Sequence, residues 1–112
     1  FDADGDGKTD LLIGSGTGIL LKNTGTKFAM LVETGLSFDP TKGRPVIGDY
    51  DNDGKLDLLI PQGSSLKLFQ NTGSKFEDVT AKAGDLAKVT GTITSVCFGD
   101  FDNNNRLSIF VG

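Results

Sequence analysis

The sequence predicts an all-β fold built from four-stranded antiparallel units, on three observations. The chain repeats itself with a period near fifty residues, and its apolar runs are too short for helices. Its 16 glycines, set among many Asn, Asp, Ser and Thr, supply frequent tight turns.

The repeat is legible without gaps. "FDADGDGKTDLLIG" (1–14) aligns on "GDYDNDGKLDLLIP" (48–61) and again on "GDFDNNNRLSIFVG" (99–112), so Asp2, Asp49 and Asp100 stand 47 and 51 residues apart. A second marker, "NTGTKF" (23–28), returns as "NTGSKF" (71–76). Within each period an acidic loop is followed by a short apolar strand, Leu11-Leu12-Ile13 or Leu58-Leu59-Ile60, closed by Gly14 or Pro61. "GILLKN" (18–23) and "SLKLFQN" (65–71) read as the next strand, and "NTG" as the turn after it. "KFAMLVE" (27–33) and "KFEDVTA" (75–81) read as the third strand. "RPVIG" (44–48) and "TITSVCFG" (92–99) make the fourth, with Pro45 tolerable only at a strand's start. In this reading the acidic loop joins the fourth strand to the first of the following set. Gly84 interrupts the one helix-like stretch, "DVTAKAGDLAK" (78–88), and limits it to a single helical turn.

Four short antiparallel strands at this period describe the blades of a β-propeller, with roughly two to two and a half blades in the chain. The repeats run over 1–48 (the first, lacking its inner strand), 49–98 and 99–112. The expected strand count is three, then a full set of four, then two more. Phe28 and Phe76 are expected in the core, as is Cys97, a lone thiol among apolar neighbours that leaves no internal disulfide. The chain opens on Phe1, with neither an initiator Met nor a signal peptide, and reads as a piece cut from something longer.

At 112 residues there is room for one ordinary domain. With 37% hydrophobic and 23% charged residues and no long apolar run, the composition is that of a soluble protein without membrane insertion. The net charge of −4 argues against a nucleic-acid partner, since phosphates would be repelled. The negative charge is concentrated: ten of the 15 acids stand in the three repeated loops, leaving five acids elsewhere, against 11 bases in the whole chain.

Crowded carboxylates repel one another and need a positive charge among them. Counting from Asp49, carboxylates fall at loop positions 1, 3, 5 and 9, with Gly54 at 6 to permit a sharp turn and the Lys55 carbonyl at 7. A set of oxygen donors this large suits Ca2+ better than Mg2+, which demands a tight octahedron, or Zn2+, which wants thiolate or imidazole. An EF-hand begins in the same way but closes with Glu at position 12 and is flanked by helices. Here position 12 is Ile13 or Ile60 and the flanks read as strands. A metal-free alternative is an Asp/Asn-rich turn whose side chains cap backbone amides, which would explain one or two aspartates per loop but not four.

The pattern D-x-D-x-D-G-x-x-D-L-L, recurring near every fifty residues, resembles the FG-GAP/VCBS repeats of integrin-α-type β-propellers. "NTGSKFEDVTAKAG" (71–84) is similar to a segment common in bacterial VCBS proteins. The resemblance covers essentially the whole chain. It implies that the acidic loop is a hairpin between a blade's innermost strand and the next, and that it binds Ca2+. The implied ligands are Asp2, Asp4, Asp6 and Asp10 with the Lys8 carbonyl, and Asp49, Asp51, Asp53 and Asp57 with the Lys55 carbonyl. The third loop offers Asp100, Asp102 and the amide oxygen of Asn104; Asn105 replaces the glycine and Ser108 the last aspartate, so a third site would be weaker.

With the carboxylates serving as ligands and no histidine in the chain, nothing marks an enzyme. The expected role is a calcium-stabilised binding or scaffold module for a protein or glycan, as in cell-adhesion proteins. It would lie outside cells, in a periplasm or on a cell surface, where calcium is plentiful. Alternatives are an accessory domain of a secreted enzyme, or a reduced or engineered propeller fragment. Either the remaining blades of a larger propeller or further copies of the chain would complete the ring. The longest inter-strand loop, "SFDPTKGR" (37–44), offers Phe38, Lys42 and Arg44 as a contact patch, unless Phe38 tucks inward.

Overall fold

The computed structural model describes all 112 residues and contains only β-strands and two short 3-10 turns as regular structure. Nine strands form three antiparallel sheets of three, four and two strands, as the repeat predicts. The first sheet holds β1 (Leu11–Ile13), β2 (Ile19–Asn23) and β3 (Phe28–Met30) in sequence order. The second holds β4 (Val46–Gly48), β5 (Asp57–Pro61), β6 (Leu66–Asn71) and β7 (Phe76–Asp78); the third pairs β8 (Val96–Gly99) with β9 (Ser108–Val111).

Register corrects one expectation. Gly48 pairs with Asp57 and Gly99 with Ser108, so each acidic loop closes a hairpin inside a single sheet instead of linking two sheets. Phe1 and Asp10 close the first loop in the same way, the Asp10 amide donating to the Phe1 carbonyl at 2.8 Å. The links between sheets are 31–45 and 79–95. The second carries 3-10 turns at Thr80–Lys82 and Gly84–Lys88, two short turns where the sequence suggests one. In the first, the Phe76 amide on β7 donates to the Thr34 carbonyl at 2.8 Å, and a side chain at Gly35 would collide with the Phe76 carbonyl oxygen.

The sheets stack face to face, and the middle one is buried on both sides. Successive residues of a strand point to opposite faces. Leu58, Ile60 and Phe69 therefore pack with Leu20, Leu36 and Phe38 on the side of the first sheet, whereas Leu59, Leu66 and Leu68 pack with Val79 and Ile93 on the side of the third. Burial on both faces is why β5 reads as an unbroken apolar run instead of an alternating one. Phe38 is buried, so of the proposed loop patch only Lys42 and Arg44 remain as possible contacts.

Repeat-equivalent residues diverge where a neighbouring sheet is missing. Phe76 is 3% exposed because it faces the first sheet, whereas its counterpart Phe28 faces outward and is 49% exposed. Leu11 and Ile13 share that outer face and are likewise exposed. On the third sheet, Val96, Phe98 and Ile109 pack inward, while the alternate residues Cys97 and Phe110 face out. The expected burial of Phe28 and Cys97 is thus not observed. Truncating the two equivalent phenylalanines should therefore give unequal losses in chemical denaturation: about 3–5 kcal/mol for Phe76→Ala, a buried aromatic, and below about 1 kcal/mol for Phe28→Ala, an exposed one.

Candidate metal centres in the acidic hairpins

The three loops share one backbone. Positions 4 and 6 take positive φ in each: Gly5 and Gly7, Asn52 and Gly54, Asn103 and Asn105. Asn tolerates this left-handed region, so the third loop keeps the shape without glycine. The need at position 4 was not read from the sequence, although its residues there (Gly, Asn, Asn) carry the signal.

Hydrogen bonds from each loop's own amides set that shape. Position 1 accepts from the amides of positions 5 and 6: Asp2 from Asp6 and Gly7, Asp49 from Asp53 and Gly54, Asp100 from Asn104 and Asn105. Position 5 accepts from the amide of position 7, in Asp6 from Lys8, in Asp53 from Lys55 and in Asn104 from Arg106. An amide oxygen performs this second task as well as a carboxylate does, which accounts for Asn104.

Position 9 has a role that sequence reasoning missed. Asp57 is fully buried and accepts two backbone N–H groups, from Tyr50 at 3.1 Å and Asn71 at 2.7 Å. Asp10, 2% exposed, does the same with Ala3 and Asn23, both at about the normal hydrogen-bond length of 2.9 and 2.8 Å. This carboxylate therefore ties the acidic loop to the Asn-Thr-Gly turn that follows β2 or β6. The signal was present in the paired recurrence of the position-9 aspartate and that turn. Asn71 extends the brace between sheets: its amide group donates to the Leu56 carbonyl and, at 2.7 Å, to the carbonyl of Ala3 in the first loop.

Capping thus accounts for more of the aspartates than the sequence argument allowed, and position 3 stands apart. In the second loop Asp51 has no backbone partner and accepts only from the Gln70 side chain. In the first, Asp4 takes one 3.2 Å bond from the Asp6 amide and pairs with the Lys22 ammonium.

Two groups of carboxylates converge. Oxygens of Asp2, Asp4 and Asp10 lie within 4.8 Å of one another, as do those of Asp49, Asp51 and Asp57. Each trio could hold a metal ion, and an oxygen-only donor set suits a hard divalent cation. Asp6 and Asp53 are not in these trios but turn to lysines: Asp53 to Lys55 at 2.7 Å, Asp6 to Lys8 at 3.2 Å and Lys22 at 3.1 Å. Lys22 holds the Asp6 carboxyl below the usual range, and Lys55 does so for Asp53. Asp100 and Asp102 of the third loop belong to no such group.

Charge in the second loop is only partly offset. The Asp57 carboxyl is pushed up to about 6, chiefly by burial; the Asn71 and Tyr50 amides pull it down, and the charges of Asp51 and Asp53 push it further up. A cation among these groups would favour the ionised form.

Stacked antiparallel sheets of up to four strands with a repeated acidic hairpin define a β-propeller-like repeat module. The FG-GAP-like repeat model matches residues 2–60 and again 49–111, and the chain belongs to that family. Among curated proteins and among solved structures, none matches the chain significantly.

Because the folded Asp57 carboxyl titrates near 6 and an unfolded one near about 4, the folded state binds the proton more tightly. In calcium-free buffer stability should therefore fall as pH rises from about 4 to about 6, then level off. Asp57→Asn leaves one buried amide without an acceptor and should cost about 1–3 kcal/mol in urea unfolding. This part of the pH dependence should disappear in that variant.

Proposed function

We propose that this chain is a calcium-stabilised segment of a β-propeller serving outside the cell as a binding or scaffold module for a protein or glycan. The observation that carries the reading is the convergence of Asp49, Asp51 and Asp57, matched by Asp2, Asp4 and Asp10, at the base of equivalent hairpins. Of these, position 3 has least support from backbone donors, so a carboxylate there is best explained by an added cation.

In the second loop Asp49, Asp51 and Asp57 would hold the ion, with Asp53 and the Lys55 carbonyl completing the set; in the first, Asp2, Asp4 and Asp10 with Asp6 and the Lys8 carbonyl. The third loop, with Asp100, Asp102 and Asn104, would bind more weakly because fewer of its donors are charged. The bound ion supplies positive charge that offsets carboxylate repulsion. The chain's own contribution is to hold the donors together: positive φ at positions 4 and 6 folds the loop, and Asn71 or Asn23 anchors its base. Extracellular calcium modules work at about 0.1–1 mM, which supports a location outside the cytosol. No helix is long and apolar enough to cross a membrane.

The exposed apolar residues Leu11, Ile13 and Phe28 on one outer face and Phe110 on the other support further sheets of the same kind stacked at both ends, from a larger propeller or from other copies. A chain without histidine, whose acids are committed to loop closure and metal binding, supports a non-catalytic role.

Thermal unfolding tests the calcium reading. The melting temperature should rise with millimolar Ca2+ and drop with a chelator, and equal curves would refute the reading. Asp51→Ala should lower the melting temperature with calcium present, yet be neutral or slightly stabilising with chelator, because it removes a repelled charge and no backbone cap. Asp102→Ala should have the smaller calcium-dependent effect.

A further inference from the structure

The two converged loops differ in one neighbour. The residue just before the Asn-Thr-Gly turn is Lys22 in the first repeat and Gln70 in the second. Both reach the position-3 carboxylate. Gln70 donates a neutral amide hydrogen bond to Asp51 at 2.5 Å. Lys22 places its ammonium on Asp4 and, at 3.1 Å, on Asp6. Four aspartates in the first loop thus meet two lysines, Lys8 and Lys22, whereas four in the second meet only Lys55. The Lys22 side chain is one-third exposed, and the same paired acids hold its ammonium protonated.

We infer that Lys22 is a tethered cation that competes with a divalent ion for the first loop, so that the two hairpins fill at different calcium concentrations, the second before the first. The inference rests on the calcium reading above and adds an order of filling to it. Asp4 belongs to the converged trio of the first loop, so an ion bound there must either displace the Lys22 ammonium from Asp4 or share Asp4 with it. Sharing sets a double positive charge beside a single one within a few ångströms. Even with water-like screening this repulsion lowers affinity on the order of tenfold. Displacement gives up two ion pairs that already offset part of the loop's charge. Gln70 imposes neither cost, since its amide carries no charge. In the interval between the two concentrations the first hairpin is held by its lysine bridge and the second by its ion. The module then loses its order stepwise as calcium falls.

The amides of Gly7 and Gly54 report the two loops separately, because they occupy equivalent positions and donate to Asp2 and Asp49. Calcium chloride is titrated into the full protein chain and both amides are followed by nitrogen–proton correlation NMR. Gly54 should reach half-saturation at a calcium concentration on the order of tenfold below that for Gly7. Lys22→Gln should bring the Gly7 midpoint down to that of Gly54, and the reciprocal Gln70→Lys should raise the Gly54 midpoint. The control Lys27→Gln, at an exposed lysine without an ion pair, should leave the gap unchanged. Equal midpoints in the wild type, or a gap that survives Lys22→Gln, would overturn the inference while leaving calcium binding intact. If neither amide responds to calcium, the calcium reading itself fails, and this inference fails with it.

Discussion

A buried carboxylate at the base of each of the first two acidic hairpins is the constraint on which the rest of the structure depends. Taking an ionised group out of water is costly unless hydrogen bonds or an opposite charge compensate. Asp10 and Asp57 each receive two backbone N–H bonds, one from the loop and one from the turn beyond the next strand. Each therefore fixes where its loop lies relative to two strands at once. Burial pushes the Asp57 carboxyl up, the Asn71 and Tyr50 amides pull it down, and the charges of Asp51 and Asp53 add to the upward push. Positive charge offsets such repulsion, and lysines bring it to position 5, Lys55 to Asp53 and Lys8 and Lys22 to Asp6.

The second organising feature is stacking. Each sheet has an apolar face on both sides, so no sheet is satisfied alone, and only the middle one has two neighbours here. That arithmetic places the fully buried leucines Leu58, Leu59 and Leu68 in the middle sheet, while Leu11 and Ile13 of the same repeat pattern lie in the open. Specific polar links keep the stack in register: Asn71 reaches the Ala3 carbonyl, and the Thr34 carbonyl receives the Phe76 amide. Such links leave no buried side-chain nitrogen or oxygen without a partner.

Most of the fold was legible in the sequence because its repeats restate one another. The strand count and the turns follow from aligning 1–14, 48–61 and 99–112, whereas the sheet to which each acidic loop belongs came only from the register. What a single sequence does not carry is which neighbours each repeat has. Phe28 and Phe76 read alike and differ in burial, because nothing local to a strand records whether a sheet covers it. Cys97 was misplaced for the same reason: apolar neighbours in sequence alternate faces, and its face is the outer one. The site was half legible. The spacing of the aspartates announced a cluster, but the buried brace at position 9 was hidden, because a hydrogen-bonding carboxylate and a ligating one are written with the same letter.

That double use separates two tasks that the loops could otherwise be thought to perform together. Shape comes from amides capped by positions 1 and 5 and from left-handed residues at 4 and 6; charge balance is a further demand, greatest where position 3 lacks a backbone partner. The third hairpin shows that the two come apart. It keeps the backbone, with Asn103 and Asn105 in the left-handed region and Asp100 capping two amides, while Ser108 removes the buried charge and Asn104 another. The same fold of the chain thus persists as its charge is reduced from four aspartates to two. How many carboxylates a loop carries, not the path its backbone takes, therefore sets how much repulsion has to be offset, and Lys22 brings a positive charge to the first loop where Gln70 brings none to the second.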